Sequence, residues 1–219
     1  MTTKSTVTSP PLRPAHARPS ELVELIELDP TFKLDVRYAT TNNISGRILY
    51  DEPRVFLQCP AAEAPVTVHQ ALKAEGYGIV LFDGYRPWSV TKVFWDITPD
   101  EDKIFVADPA EGSRHNRGCA IDLSLFDLET GENVDMPSAY DEMSERAYVT
   151  YRGGTEKQRA ARDLLRQYIC KLMGNSSSTL KNGGIGISRI FVNMLSKIFR
   201  SVKSSRQVNK QSTSITLVV

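Results

Sequence analysis

Residues 113–122 read SRHNRGCAID, which sets His115 and Asp122 seven positions apart with Gly118 and Ala120 between them. An imidazole and a carboxylate are two of the side chains that bind zinc, and a hydrolytic zinc site takes three protein ligands and leaves one position open for water. It also needs a general base within reach of that water. The small residues let the backbone pass close to an ion before a strand begins at Ile121. A third ligand and a base should lie downstream, yet the three histidines of the chain are His16, His69 and His115, so none follows Asp122. A lone His with a distant Asp most often has no metal role, and it is the small-residue context that lifts this pair above that background.

A second chemical feature precedes it. Residues 78–82 (GIVLF) form an apolar run, and Asp83, Gly84 and Pro87 mark a tight turn directly after it. Arg86 sits on that turn. An arginine is most often a structural ion-pair partner, but a cation mounted at a strand end also suits developing negative charge. Cys119 occupies the variable slot between Gly118 and Ala120 and reads as a packing residue. His69 falls within a helical stretch beside Val66, Val68, Ala71 and Leu72 and is expected to be half-buried or on the helix surface.

The elements that must position these groups follow from periodicity. Residues 60–76 are the clearest helix, with Pro60 in the first turn, apolar residues at Ala64, Val68, Ala71 and Leu72, and a Gly stop. Residues 156–173 form a second, with Ala160, Leu164, Leu165, Tyr168 and Leu172 on one side. Residues 89–95 are expected to be helical and 98–103 a polar loop. Short strands are expected at 21–26, although LVELIEL also reads as a helix, and at 32–38, 78–82 and 119–125, the last delivering Asp122. Strands interleaved with helices, without regular βαβ units, predict an α+β fold.

At 219 residues with a net charge of +1, the chain suits one domain with a sizeable core and does not point to nucleic acid. No stretch approaches the roughly 20 apolar residues of a membrane span. Three widely spaced cysteines indicate no disulfide framework. The first 19 residues lack the apolar core of a signal peptide and read as a disordered lead, so a cytoplasmic location is expected. Residues 20–173 form the body. From 174 to 219 the composition breaks: this Ser-rich tail has seven basic residues and no acidic ones, whereas all 26 acidic residues lie upstream.

Four segments together resemble the zinc D-alanyl-D-alanine dipeptidases, within the wider zinc DD-peptidase clan. They are LDVRYATTNNISG (34–46), LFDGYRPWSV (81–90), SRHNRGCAID (113–122) and YDEMSERA (140–147), and the resemblance runs from about residue 21 to 173. It implies a central, mostly antiparallel sheet with flanking helices and the zinc cleft on one face, incomplete at its C-terminal end. It implies one Zn2+ per chain with His115 and Asp122 as ligands, Arg86 as stabiliser of the transition state, and Ser113 and Asp141 as aids in binding a small D,D-dipeptide. Residues 141–144 read equally as a capped helix start. A zinc DD-carboxypeptidase shares the metal motif, but the DGYRP and YDEMS segments favour the dipeptidases.

In that family a Glu base and the third zinc ligand come from an E-W-W-H element, which the present tail lacks. Read one base out of frame, codons permitted by residues 174–190 allow EFIVYPEEWWHWDFKD, with E-W-W-H spelled across residues 181–185. Chance supplies the core of this coincidence on the order of once in several hundred such tails. The expectation is therefore a frame disruption near Met173, little peptidase activity from this polypeptide, and an unpaired sheet edge where the native segment is missing. The rival expectation, from another class, is a non-enzymatic binding module whose tail forms a basic amphipathic helix over residues 188–202 for a membrane or partner.

Overall fold

The computed structural model describes residues 2, 4–13, 15 and 17–173, together with the backbone of 189–190. The readings placed on the tail, including the shifted frame and the helix over 188–202, otherwise lie outside the described residues, as does His16. The elements run β1 (Leu22–Glu24), α1 (Leu25–Leu28), β2 (Lys33–Leu34), β3 (Phe56–Gln58), α2 (Cys59–Leu72), β4 (Tyr77–Asp83), α3 (Trp88–Ile97), β5 (Ile121–Asp127), α4 (Glu156–Met173) and β6 (Arg189–Ile190). A four-stranded sheet has the order β2-β4-β5-β6, with one parallel pair (β2 with β4) and two antiparallel pairs, and β1 and β3 form a separate antiparallel ribbon. This is the α+β, mostly antiparallel arrangement expected.

β4 is buried along nearly its whole length, with Ile79, Val80 and Leu81 fully enclosed, which matches its unbroken apolar run. Its inner face meets Leu72 of α2 and Leu165 and Ile169 of α4 in the main core. Each such side chain contributes roughly 1.5–3 kcal/mol by leaving water. α2 runs on into a 3-10 turn (Lys73–Glu75), and Gly76 ends it in the left-handed conformation at φ 81°. On α4 the buried stripe is Ala161, Leu165 and Ile169, flanked by half-buried Leu164 and Tyr168, while Ala160 is exposed. The expected face thus holds at Leu164, Leu165, Tyr168 and Leu172 and fails only at Ala160, and the buried stripe widens to Ala161 and Ile169 because α4 packs on α2 as well as on the sheet.

Three further expectations need correction. Residues 98–103 are not simply a polar loop, since Asp100–Phe105 is a 3-10 helix anchored by buried Phe105. The strand expected at 32–38 is only two residues long, followed by a 3-10 turn (Arg37–Ala39) that buries Tyr38. At 21–26 both readings hold in part, because β1 passes straight into the single turn of α1.

His69 is fully buried, not on the helix surface. Its Nδ1 accepts the backbone N–H of Ile79 at 2.9 Å, so Nε2 carries the proton and donates to Thr31 Oγ1 at 2.8 Å, and the ring stacks on Phe32. The ring thereby satisfies an amide of β4 just before the two residues that β2 pairs. Sequence periodicity cannot reveal such a partner.

The outer edge of β5 is also less open than expected. β6 pairs with Ile121 and Asp122, and residues 132–134 return to bond Leu125 and Asp127 and bridge Phe126. In the lead, the Ser5 N–H donates to Asp96 Oδ1 at 2.9 Å on α3. Among the described residues no helix is long and apolar enough to cross a membrane.

Candidate metal centre

Two strands and one turn build the site. β4 and β5 pair in regular register from Tyr77–Asp127 to Leu81–Leu123, and then a bulge at Phe82 sets Asp83 directly opposite Asp122. Both carboxylates are completely buried. Two like charges facing each other across a ladder are destabilising on their own, so the bulge presupposes cations.

Arg86 is the first of these. It is 3% exposed, and its Nε and Nη2 donate to Asp83 Oδ2 at 2.9 and 2.6 Å. Nη2 also reaches Asp122 Oδ2 at 3.3 Å. The guanidinium lies over the rings of Tyr38 and Phe94, at 5.1 and 5.0 Å from their centroids. Burial alone would favour its neutral form, but the acidic surroundings raise its pKa well above the usual value, so it stays charged.

His115 is delivered by a 3-10 turn (His115–Arg117) that closes at Gly118 with φ 64°. A Cβ at Gly118 would come within 2.7 Å of Leu22 Cδ2 and 3.2 Å of the Gln58 amide nitrogen, which explains the glycine. The His115 Nδ1–H donates to the Gly84 carbonyl at 2.8 Å, and the Arg86 amide donates back to the His115 carbonyl at 3.0 Å. These bonds fix the tautomer, so Nε2 presents its lone pair.

Nε2 is buried, has no hydrogen-bond partner among the described residues, and faces Asp122 Oδ1 at 3.5 Å. Two ligand atoms bound to one tetrahedral zinc stand about 3.3 Å apart, given bonds of about 2.0–2.1 Å. Asp83, His115 and Asp122 offer ligand atoms all within 4.8 Å of one another. The donor set therefore fits a divalent cation.

Asp83 lies close enough to serve as a ligand, but its oxygens are committed. Oδ2 takes the Arg86 fork and Oδ1 accepts the Tyr50 hydroxyl at 2.7 Å. Burial and the adjacent Asp83 push the Tyr50 phenol well above its usual pKa, which keeps it a donor. Asp83 is thus the anchor of Arg86. Tyr140 donates to Asp122 Oδ2 at 3.3 Å, and burial likewise keeps its phenol protonated.

The other expected site residues sit around this cluster. Ser113 is in the same turn as His115, and its Oγ accepts the Asn116 amide at 3.0 Å. Asp141 holds a positive φ of 59° and accepts the Tyr38 hydroxyl at 3.0 Å, which links it through Tyr38 to Arg86. Ser144 caps a 3-10 turn (Glu145–Ala147), the capped helix start read at YDEMS. Cys119 is half-buried, with its thiol directed to the Arg117 carbonyl at 3.4 Å.

Sequence reasoning missed Tyr50, the anchoring role of Asp83, and Asn116. Asn116 accepts the Ser113 N–H at 2.8 Å, and its Nδ2 donates to the Arg86 carbonyl at 2.8 Å and to Thr91 Oγ1 at 2.9 Å. One side chain thereby ties the His115 turn to the Arg86 turn and to α3. Its position beside His115 was the available signal.

Residues 18–176 match the Peptidase M15 family, described as D-ala-D-ala dipeptidase. D-alanyl-D-alanine dipeptidase of Escherichia coli K12 is 36% identical over 130 residues, covering 59% of this chain and 66% of its own length. The Enterococcus faecium enzyme of the same name is 33% identical over 137 residues (54% of this chain, 68% of the relative). That of Enterococcus faecalis V583 is 34% identical over 155 residues, covering 62% of this chain and 76% of the relative. With the matched span containing the whole Asp83, Arg86, His115 and Asp122 cluster, the chain belongs to the D-alanyl-D-alanine dipeptidase family of peptidases.

Proposed function

We propose that residues 20–173 are the scaffold of a zinc-dependent D,D-dipeptidase acting on D-alanyl-D-alanine or a close analogue, and that this polypeptide turns it over poorly. The supporting observation is His115 Nε2, buried, partnerless among the described residues and facing Asp122 Oδ1 at 3.5 Å. His115 and Asp122 would hold the ion, which when bound lowers the pKa of water and polarises a carbonyl.

The remaining work falls to the chain's own groups. Asp83 and the two rings hold the Arg86 cation rigid beside the ligands, so it meets negative charge developing on a scissile carbonyl without reorganising. Such a fixed donor is typically worth about 3–4 kcal/mol in the barrier. Ser113 and Asp141 flank the cluster and would engage the termini of the dipeptide.

The deficit lies on the other side. Among the described residues the third member of the ligand cluster, Asp83, is tied to Arg86 and Tyr50, and so is free to serve neither as a third ligand nor as a general base. General acid–base assistance alone is worth about a hundredfold or more in rate. The test compares the chain with a version whose residues 174–190 are replaced by EFIVYPEEWWHWDFKD. Zinc content after equilibrium dialysis and alanine release from D-Ala-D-Ala are measured on both. The replacement should raise turnover by at least about a hundredfold and tighten zinc binding, and His115→Ala should abolish uptake in both. Equal turnover by the two chains would refute the proposal.

A further inference from the structure

Apart from the metal centre, α4 and the loop before it border an open surface groove of about 830 Å3 that none of the site residues lines. Its walls carry Arg152, Arg159, Arg162 and Arg166 against a single carboxylate, Asp163. Residues 159, 162 and 166 are spaced three and four apart, which places them on one face of α4. Arg152 comes from the loop opposite. This is a local excess of three positive charges on a body in which acidic residues outnumber basic ones.

Two of the four arginines have structural duties. Arg162, 6% exposed, donates from Nη1 to the Tyr151 carbonyl at 2.6 Å and from Nε to Asp163 at 2.9 Å. Arg159 donates to the Gly154 carbonyl at 2.6 Å and to the Gly153 carbonyl at 3.3 Å. These bonds lash the loop to the helix and fix the groove's shape. They leave Arg152 and Arg166 unexplained, since both are exposed and neither side chain has an ion pair or hydrogen bond among the described residues.

Like charges converging on a concave wall cost energy unless a counter-ion offsets them. All four are arginines and none is a lysine, which favours planar, bidentate recognition of an oxyanion. We propose that this groove binds a small organic polyanion through its carboxylate or phosphate groups, gripped between Arg152 and Arg166 on a wall held rigid by Arg159 and Arg162.

The test uses the full chain, zinc-free, with inorganic pyrophosphate and with citrate as separate probes, followed by calorimetry at matched ionic strength. The comparison is an Arg152→Ala, Arg166→Ala double variant, whose folding is checked by circular dichroism and whose zinc uptake should equal that of the parent. One saturable site is expected for at least one probe, weakened about tenfold or more in the double variant. Binding of pyrophosphate alone identifies phosphate as the recognised group, and binding of citrate alone identifies carboxylate. Absence of saturable binding to either probe overturns the proposal, as does equal binding by parent and variant, which would place the anion on the basic tail.

Discussion

Acid should loosen this fold through His69, well away from the metal centre. The ring is fully buried and accepts the Ile79 N–H, so protonating Nδ1 breaks a bond to β4 and strands a charge in the core. Burial, reinforced by nearby Lys73 and opposed by Asp29, lowers the His69 pKa from 6.5 to about 4. A base whose folded pKa is depressed binds more protons when unfolded. Its stabilising contribution is therefore complete above about 6.5 and is lost as the pH falls towards 4. The full shift corresponds to about 3 kcal/mol, of which about 2 kcal/mol disappears between pH 7 and 4.5.

Neighbouring groups do not confuse this window. Burial alone would raise the Asp29 carboxyl, but hydrogen bonds from the Thr31 side chain and backbone hold it at about 2, so it stays ionised throughout. The control is His69→Gln, whose amide offers the same acceptor and donor without titrating. Urea unfolding of both proteins at pH 7 and 4.5 measures the difference. The parent should lose about 2 kcal/mol more than the glutamine variant. Parallel losses in the two proteins would show that His69 does not carry the acid sensitivity.

Other substitutions probe the frame around the metal centre. Asn116→Ala leaves the Arg86 carbonyl and Thr91 hydroxyl without their partner and should cost about 2–3 kcal/mol in urea unfolding, with Asn116→Asp no better because its second oxygen faces the Arg86 carbonyl. Asp83→Asn weakens the hydrogen-bonded fork on buried Arg86 while Asp122 still faces the guanidinium, and should destabilise by about 1–3 kcal/mol in urea unfolding; unchanged stability would show that Asp83 does not anchor Arg86. Gly118→Ala forces a Cβ against Leu22 and the Gln58 amide at positive φ, and thermal unfolding should register about 1–3 kcal/mol.

The parts of the fold that were legible in the sequence are those set by local periodicity. α2, α4 and β4 bury apolar residues at regular spacing, so their existence followed from pattern alone. The details that went astray depend on distant partners. His69 read as half-buried or on the helix surface because its acceptor role is completed by Ile79 and its ring by Phe32, neither of which a helical period encodes. β2 shrank to two residues because Tyr38 turns inward to meet Phe94 and Arg86.

The metal centre divides along the same line. His115 and Asp122 share one turn and the strand that follows, so their spacing survives in the sequence as a motif. Asp83 reads as an ordinary turn residue until the bulge at Phe82 sets it beside Asp122. Two facing acids require cations, and Arg86 supplies one of them. The facing carboxylates and His115 Nε2, which has no hydrogen-bond partner among the described residues, arise from separate parts of the chain: one from strand register, the other from a turn locked by Gly84. An apolar replacement could relieve either feature alone, but not both at a separation that matches two ligands on one ion. The body therefore presents the geometry of a candidate metal-binding half-site, and zinc uptake by the present chain, lost on His115→Ala, is the outcome expected from it.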